Sequence, residues 1–156
     1  MEKNHIYTLQ LDWTGNKGLG TKNYNAFERS FSIQIKNKPT ILGSSDPAFL
    51  GDPTKYNPEE MFLASISSCH MLWYLHLCAV NGITVLSYQD QPLGTMLENK
   101  DGSGMFTSVV LKISITLLEY DKIDFAQSLH EKANKYCFIA NSLNFKVKHE
   151  CIVTVK

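Results

Sequence analysis

NPEEMFLASISSCHMLWYLHLC, residues 57–78, opens as a helix and then stays apolar for most of its length while carrying two cysteines, two histidines and a glutamate pair. Asn57 is suited to the N-cap and Pro58 to the first helical position, and Glu59 and Glu60 complement the positive end of the helix dipole. Asn81 and Gly82 supply the stop, so the pattern predicts a helix from 58 to about 80. That helix is apolar nearly all round, more than the single sheet of a monomer can cover, which favours a second copy packed against it.

Upstream, HIYTLQLDW alternates through Tyr7, Leu9, Leu11 and Trp13 and ends in the glycine turn GNKGLG, the pattern of a half-buried strand. In AFERSFSIQIK, Phe27, Phe31, Ile33 and Ile35 share one face, and Arg29 falls in register with them, a charge at a core position. Residues 39–58, PTILGSSDPAFLGDPTKYNP, are rich in proline and glycine and read as a long ordered loop. Downstream, residues 83–97 and 105–118 are predicted to pair as a hairpin across ENKDGSG, with Val109, Leu111, Ile113, Ile115 and Leu117 on one face of the second strand. Asp124 is expected to cap a second helix whose Phe125, Leu129, Ala133 and Cys137 form one apolar stripe. The chain finishes with a strand in which Val147, His149, Cys151, Val153 and Val155 share a face. This order predicts one α+β domain over residues 1–156, a sheet wrapped on a long apolar helix.

Fifteen basic and fifteen acidic side chains cancel without clustering, so the sequence carries no electrostatic footprint for nucleic acid or an anionic membrane. The N-terminus lacks a signal pattern and no apolar run is read as transmembrane, so a cytoplasmic protein acting on a small molecule or a protein partner is expected. Cys69, Cys78, Cys137 and Cys151 form no CxxC, and in a reducing compartment they are free thiols.

Small residues in SISSCH allow close approach to Cys69, which reads either as a buried thiol or as a nucleophile. Cys78 lies roughly half a turn away around the helix and 13 Å along it, so it cannot pair with Cys69 and reads as core, as does Cys151. His70, His76 and His149 have no tight metal-ligand spacing and read as structural. If Arg29 is covered it needs an anion, Glu59 or a cysteine thiolate being the candidates, and an adjacent cation would activate that thiol. Glu59 and Cys69 stand roughly 15 Å apart on a straight helix, so they would meet either through a bend or across a two-fold axis that packs the helix against its copy.

NPEEMFLASISSC, HEKANKYCFIANSL and the early LDWTGNKGLGT together resemble the OsmC/Ohr peroxidases over nearly the whole chain. The resemblance implies an OsmC/Ohr-like fold of antiparallel sheets around long central helices in an intertwined homodimer. It also implies a thiol peroxidase that reduces organic hydroperoxides to alcohols in oxidative stress defence, with sites at the subunit interface. Carried over, Cys69 is the peroxidatic cysteine, Cys137 the resolving cysteine, Arg29 the activating arginine and Glu59 the carboxylate that orients it. The implied partners are an organic hydroperoxide and a dithiol reductant, dihydrolipoyl groups being frequent donors in the family, and no metal or other cofactor is implied. Here Phe138 follows the second cysteine where the family commonly has proline. The alternatives are a non-catalytic dimeric module that binds a small apolar ligand at the interface, and a cysteine/histidine metal site.

Overall fold

The computed structural model describes residues 2–156, which fall into two compact units, the first ending at Phe62 and the second spanning Leu63–Lys156. In the first unit β1 (Gln10–Trp13), β2 (Phe31–Gln34) and β3 (Ile41–Gly43) form an antiparallel sheet in that order, with Leu11 opposite Ile33 and Trp13 opposite Phe31. The strands are shorter than the alternation predicts: Tyr7 and Leu9 precede β1, and Phe27, Arg29 and Ile35 fall outside β2.

The covered positions along this segment are the polar ones. Ser30 and Ser32 are buried whereas Phe31 and Ile33 are only half-buried. The cause is the segment that the sequence leaves as a loop, which both contributes β3 and covers that face: Lys55 Nζ donates to Ser30 Oγ at 2.8 Å. Its internal bonds make it rigid. Asp46 Oδ1 accepts from Ala48 N–H at 2.8 Å and caps a 3-10 turn at Pro47–Phe49, and Asp52 N–H donates to Ser44 Oγ at 3.0 Å. Gly51 is required there, because a Cβ would stand 1.6 Å from the Ser45 carbonyl oxygen.

Helix α1 (Pro58–Val80) starts and stops where the sequence places it. Asn57 Oδ1 accepts from Glu60 N–H at 2.7 Å and Glu60 Oε2 accepts from Asn57 N–H at 3.1 Å, a reciprocal capping box. At the far end Gly82 takes φ +67°, Ile83 N–H reaches Cys78 O at 2.9 Å and Gly82 N–H reaches Ala79 O at 3.1 Å, closing a Schellman motif. Ile66, His70, Tyr74, Leu77 and Cys78 form its buried stripe, while Leu72 and Val80 on other faces are 62% and 63% exposed. Contrary to the expectation, α1 is by length and composition alone apolar enough to cross a membrane.

In the second unit β4 (Val85–Asp90) and β5 (Leu93–Glu98) pair antiparallel along β6 (Gly104–Leu117), separated at Gln91 and Pro92, where proline cannot donate to the ladder, and with register shifts at Val85/Ser87 and Thr95/Met96. This is the predicted hairpin, and Val109, Leu111, Ile113, Ile115 and Leu117 are all buried. Helix α2 (Ile123–Tyr136) then carries the chain back so that β7 (Lys148–Val155) runs parallel to β6, from Val110 opposite Lys148 to Leu117 opposite Val155. The sheet is therefore mixed and not purely antiparallel, because a helical crossover returns the chain in the same direction. On β7 the half-buried positions are His149, Cys151, Val153 and Val155, the face that alternation assigns. On α2, Leu129, Ala133 and Cys137 are buried but Phe125 is 48% exposed. Asp124 is not the cap: it lies in the first turn, Lys122 occupies the cap position, and no side chain bonds there.

Candidate functional site: a thiol pair between the two helices

Cys69 lies in the middle of α1 and Cys137 at the residue where α2 ends, and the two thiols are neighbours with no disulfide between them. Cys137 is completely buried, Cys69 partly exposed. The backbone of Cys137 leaves helical geometry at ψ 110° while its N–H still reaches Ala133 O at 2.9 Å. The following turn folds back over the sulfur, Ala140 N–H donating to Cys137 Sγ at 3.4 Å and Asn141 N–H to Cys137 O at 3.0 Å. Burial, followed by the neighbouring Cys69 thiol, pushes the Cys137 thiol up to about 11, so near neutrality it is protonated and Cys69 is the sulfur that solvent and reactants can reach.

An aromatic cluster adjoins the pair. Trp73, one turn after Cys69, meets Tyr136 with ring centroids 5.2 Å apart and Phe138 at 5.9 Å, and the exposed His76 stands edge-on to it at 5.7 Å. Tyr136 was not singled out in the sequence; its only signal is that it directly precedes the second cysteine.

A different arrangement occupies the buried stripe of α1. His70 Nε2 and His130 Nδ1 are 3.0 Å apart with their rings stacked, Tyr74 stacks on His130 at 4.0 Å, and His149 lies 5.6 Å from His130. His70 is thus structural as expected, and nothing local to its partner His130 announces an imidazole 60 residues away. Burial lowers His70 to about 4, with His149 adding to the shift, and lowers His130 to about 3, with His70 and His149 adding; both are neutral at physiological pH. Burial also lowers His149, against a pull upward from Glu131. His70 Nδ1 and His130 Nε2 are buried without hydrogen-bond partners. Cys78, the core thiol, sits beside the Tyr74 hydroxyl and is raised by burial. Cys151 is less enclosed than expected: it is half-buried and lines, with His149, Glu131 and Asp124, a cleft of about 440 Å³. Burial, with the Asp90 carboxylate adding to it, raises Cys151 to about 11.

Arg29 and Glu59 belong to the first unit. Arg29 Nη1 donates to Phe27 O and Nη2 to Tyr24 O, both at 2.6 Å, and its guanidinium lies 4.2 Å and 4.3 Å from the Tyr24 and Phe27 ring centres. Two carbonyls and two ring faces, and no ion pair among the described residues, accompany this half-buried charge. Glu59, in the first turn of α1, has its Oε2 buried with no hydrogen-bond partner. Among the described residues no group of three histidine, cysteine, aspartate or glutamate side chains is placed to hold a metal ion.

An OsmC-like protein from Vibrio cholerae O1 biovar eltor str. N16961, itself of unknown function, superposes with a TM-score of 0.84 at 28% identity, covering 96% of this chain and all of that one. An organic hydroperoxide resistance protein from Elizabethkingia anophelis (TM-score 0.68, 18% identity, 99% of this chain and 100% of that one) and OhrB of Bacillus subtilis (0.61, 18%, 96% and 98%) share the fold. No curated protein matches the sequence. The sequence model of the family described as OsmC-like protein matches residues 51–151, a span that contains α1, α2 and both thiols of the pair. The chain belongs to the OsmC-like protein family.

Proposed function

We propose that the protein is a thiol-dependent peroxidase that reduces organic hydroperoxides to alcohols. The observation that carries this reading is the proximity of a partly exposed cysteine and a buried one on separate elements, with no disulfide between them. The Cys69 thiolate attacks one peroxide oxygen; the O–O bond breaks, an alcohol leaves after taking up a proton, and Cys69 becomes a sulfenic acid. The Cys137 sulfur displaces the hydroxyl as water and forms a Cys69–Cys137 disulfide, which a dithiol donor, with dihydrolipoyl groups the leading candidates, returns to two thiols. The thiols carry the redox change themselves, in a reducing compartment such as the cytoplasm.

Arg29 of one subunit favours the thiolate of the other, and Glu59 orients it, in a homodimer. Supporting this are the unpartnered buried oxygen of Glu59, which calls for a cation, and the exposed apolar side chains Leu72 and Val80 on α1 and Leu11 on β1, which call for cover. One equivalent of an alkyl hydroperoxide added to the reduced protein is expected to yield a peptide pair linking Cys69 to Cys137, read by mass spectrometry. Four unmodified cysteines after that treatment would end the peroxidase reading.

A further inference from the structure

We propose that Trp73, Tyr136 and Phe138 are positioning residues for the resolving step, an aromatic clamp that holds Cys137 against Cys69. The inference rests on the peroxidase reading and assigns a role to three side chains that take no part in it.

Cys137 sits at a hinge. Its N–H belongs to the last turn of α2, whereas its carbonyl and its sulfur accept bonds from the turn that follows. Nothing in such a junction fixes the direction of the thiol by helix geometry alone. Beside the Ala140 N–H that meets the sulfur, the residues on either side hold it: Tyr136 approaches Trp73 at an interplanar angle of 41°, and Phe138 approaches the same ring edge-on at 70°. Trp73 stands four residues after Cys69, on the same stripe of α1. Two rings that straddle one sulfur therefore grip a third ring anchored one turn from the other sulfur. The exposure of these rings fits positioning better than core packing. Phe138 is 71% exposed and Tyr136 40%, so truncating either opens no sealed cavity.

The step served is the condensation of the sulfenic acid with the thiol. The S–O bond of Cys69 breaks, the S–S bond forms, and the hydroxyl leaves with the Cys137 proton as water, with no co-reactant beyond the hydroperoxide that has already oxidised Cys69. Cys137 is protonated near neutrality, so its reactivity depends on being held at the sulfenic acid more than on a standing thiolate.

The test uses Phe138→Ala and Tyr136→Ala in rapid mixing with one equivalent of cumene hydroperoxide. Sulfenic acid on Cys69 is trapped with dimedone and the disulfide is quantified by mass spectrometry. The expected result is that the ratio of disulfide formation to Cys69 oxidation falls about tenfold in each variant, with sulfinic acid appearing on Cys69 at a smaller peroxide excess. Phe138→Tyr, which keeps the ring, should restore the ratio. If both alanine variants resolve as fast as the unmodified chain, the clamp is overturned while the peroxidase reading stands. If Cys69 of the unmodified chain is never oxidised, both fall together. Melting curves show whether either variant has lost its fold, and should one have done so the other decides.

Discussion

Helix α1 carries a thiol on each of two faces and treats them in opposite ways. Cys69 opens partly to solvent and touches a second thiol. Cys78, nine residues on, is 1% exposed and faces a tyrosine hydroxyl, with two neutral imidazoles stacked along the same stripe. The residue type is the same and the helix is the same; rotation of roughly half a turn decides which sulfur can meet a reactant. Access to a sulfur on this helix is a property of its face.

The largest test of that contrast is the pair Cys69→Ser and Cys78→Ser. The first is expected to reduce hydroperoxide turnover at least about a thousandfold, because it removes the proposed nucleophile. The second should leave turnover per folded molecule within about twofold. Consumption of hydroperoxide with a dithiol donor measures both, and equal losses would erase the distinction between the faces.

The sealed face should show itself in acid. His70 and His130 have folded pKa values below that of a free imidazole, so the unfolded chain binds more protons as the pH falls. Their contribution is fully present above about pH 6.5 and is lost progressively on acidification, until the folded values near 4 and 3 are passed. By pH 5 the loss is roughly 2 kcal/mol for each imidazole that titrates independently. Denaturant melts at pH 7.5 and pH 5 measure it; a flat profile would mean that the stack tolerates charge, and His70→Phe should weaken the dependence if the stack is its source. A smaller effect belongs to the start of the helix, which serves both faces equally: Asn57→Ala breaks the capping box and should cost about 1 kcal/mol, a fall in Tm of about 3 °C by calorimetry.

What could be read in advance follows the same division between local and distant causes. The ends of α1 were legible because Asn57, Pro58, Glu60 and Gly82 act within a turn of where they stand. The alternation of β6 was legible because one face of it is wholly buried. β3 was not, since three residues carry no period, and the hydroxyl of the buried Ser30 meets a lysine 25 residues away. The parallel course of β7 was hidden as well, because face alternation is identical in parallel and antiparallel pairing. For the site, helix geometry separated Cys69 from Cys78, but only the family resemblance joined Cys69 to Cys137. The stacked partner of His70 had no local signature at all, and neither had the carbonyls that hold Arg29.

The parallel pairing of β7 with β6 also sets an order of events at the ribosome. β4 and β5 can pair with β6 as soon as β6 itself has emerged, but the second edge of β6 stays open through the synthesis of all of α2 and is covered only when residues up to Val155 appear. Both thiols of the pair have left the tunnel by then, whereas His149, which flanks the imidazole stack, is on the strand that arrives last. A nascent chain therefore presents Cys69 and Cys137 before its core is closed, and stalled or shortened chains would expose free thiols beside an unpaired strand edge, a combination that invites cross-linked aggregates.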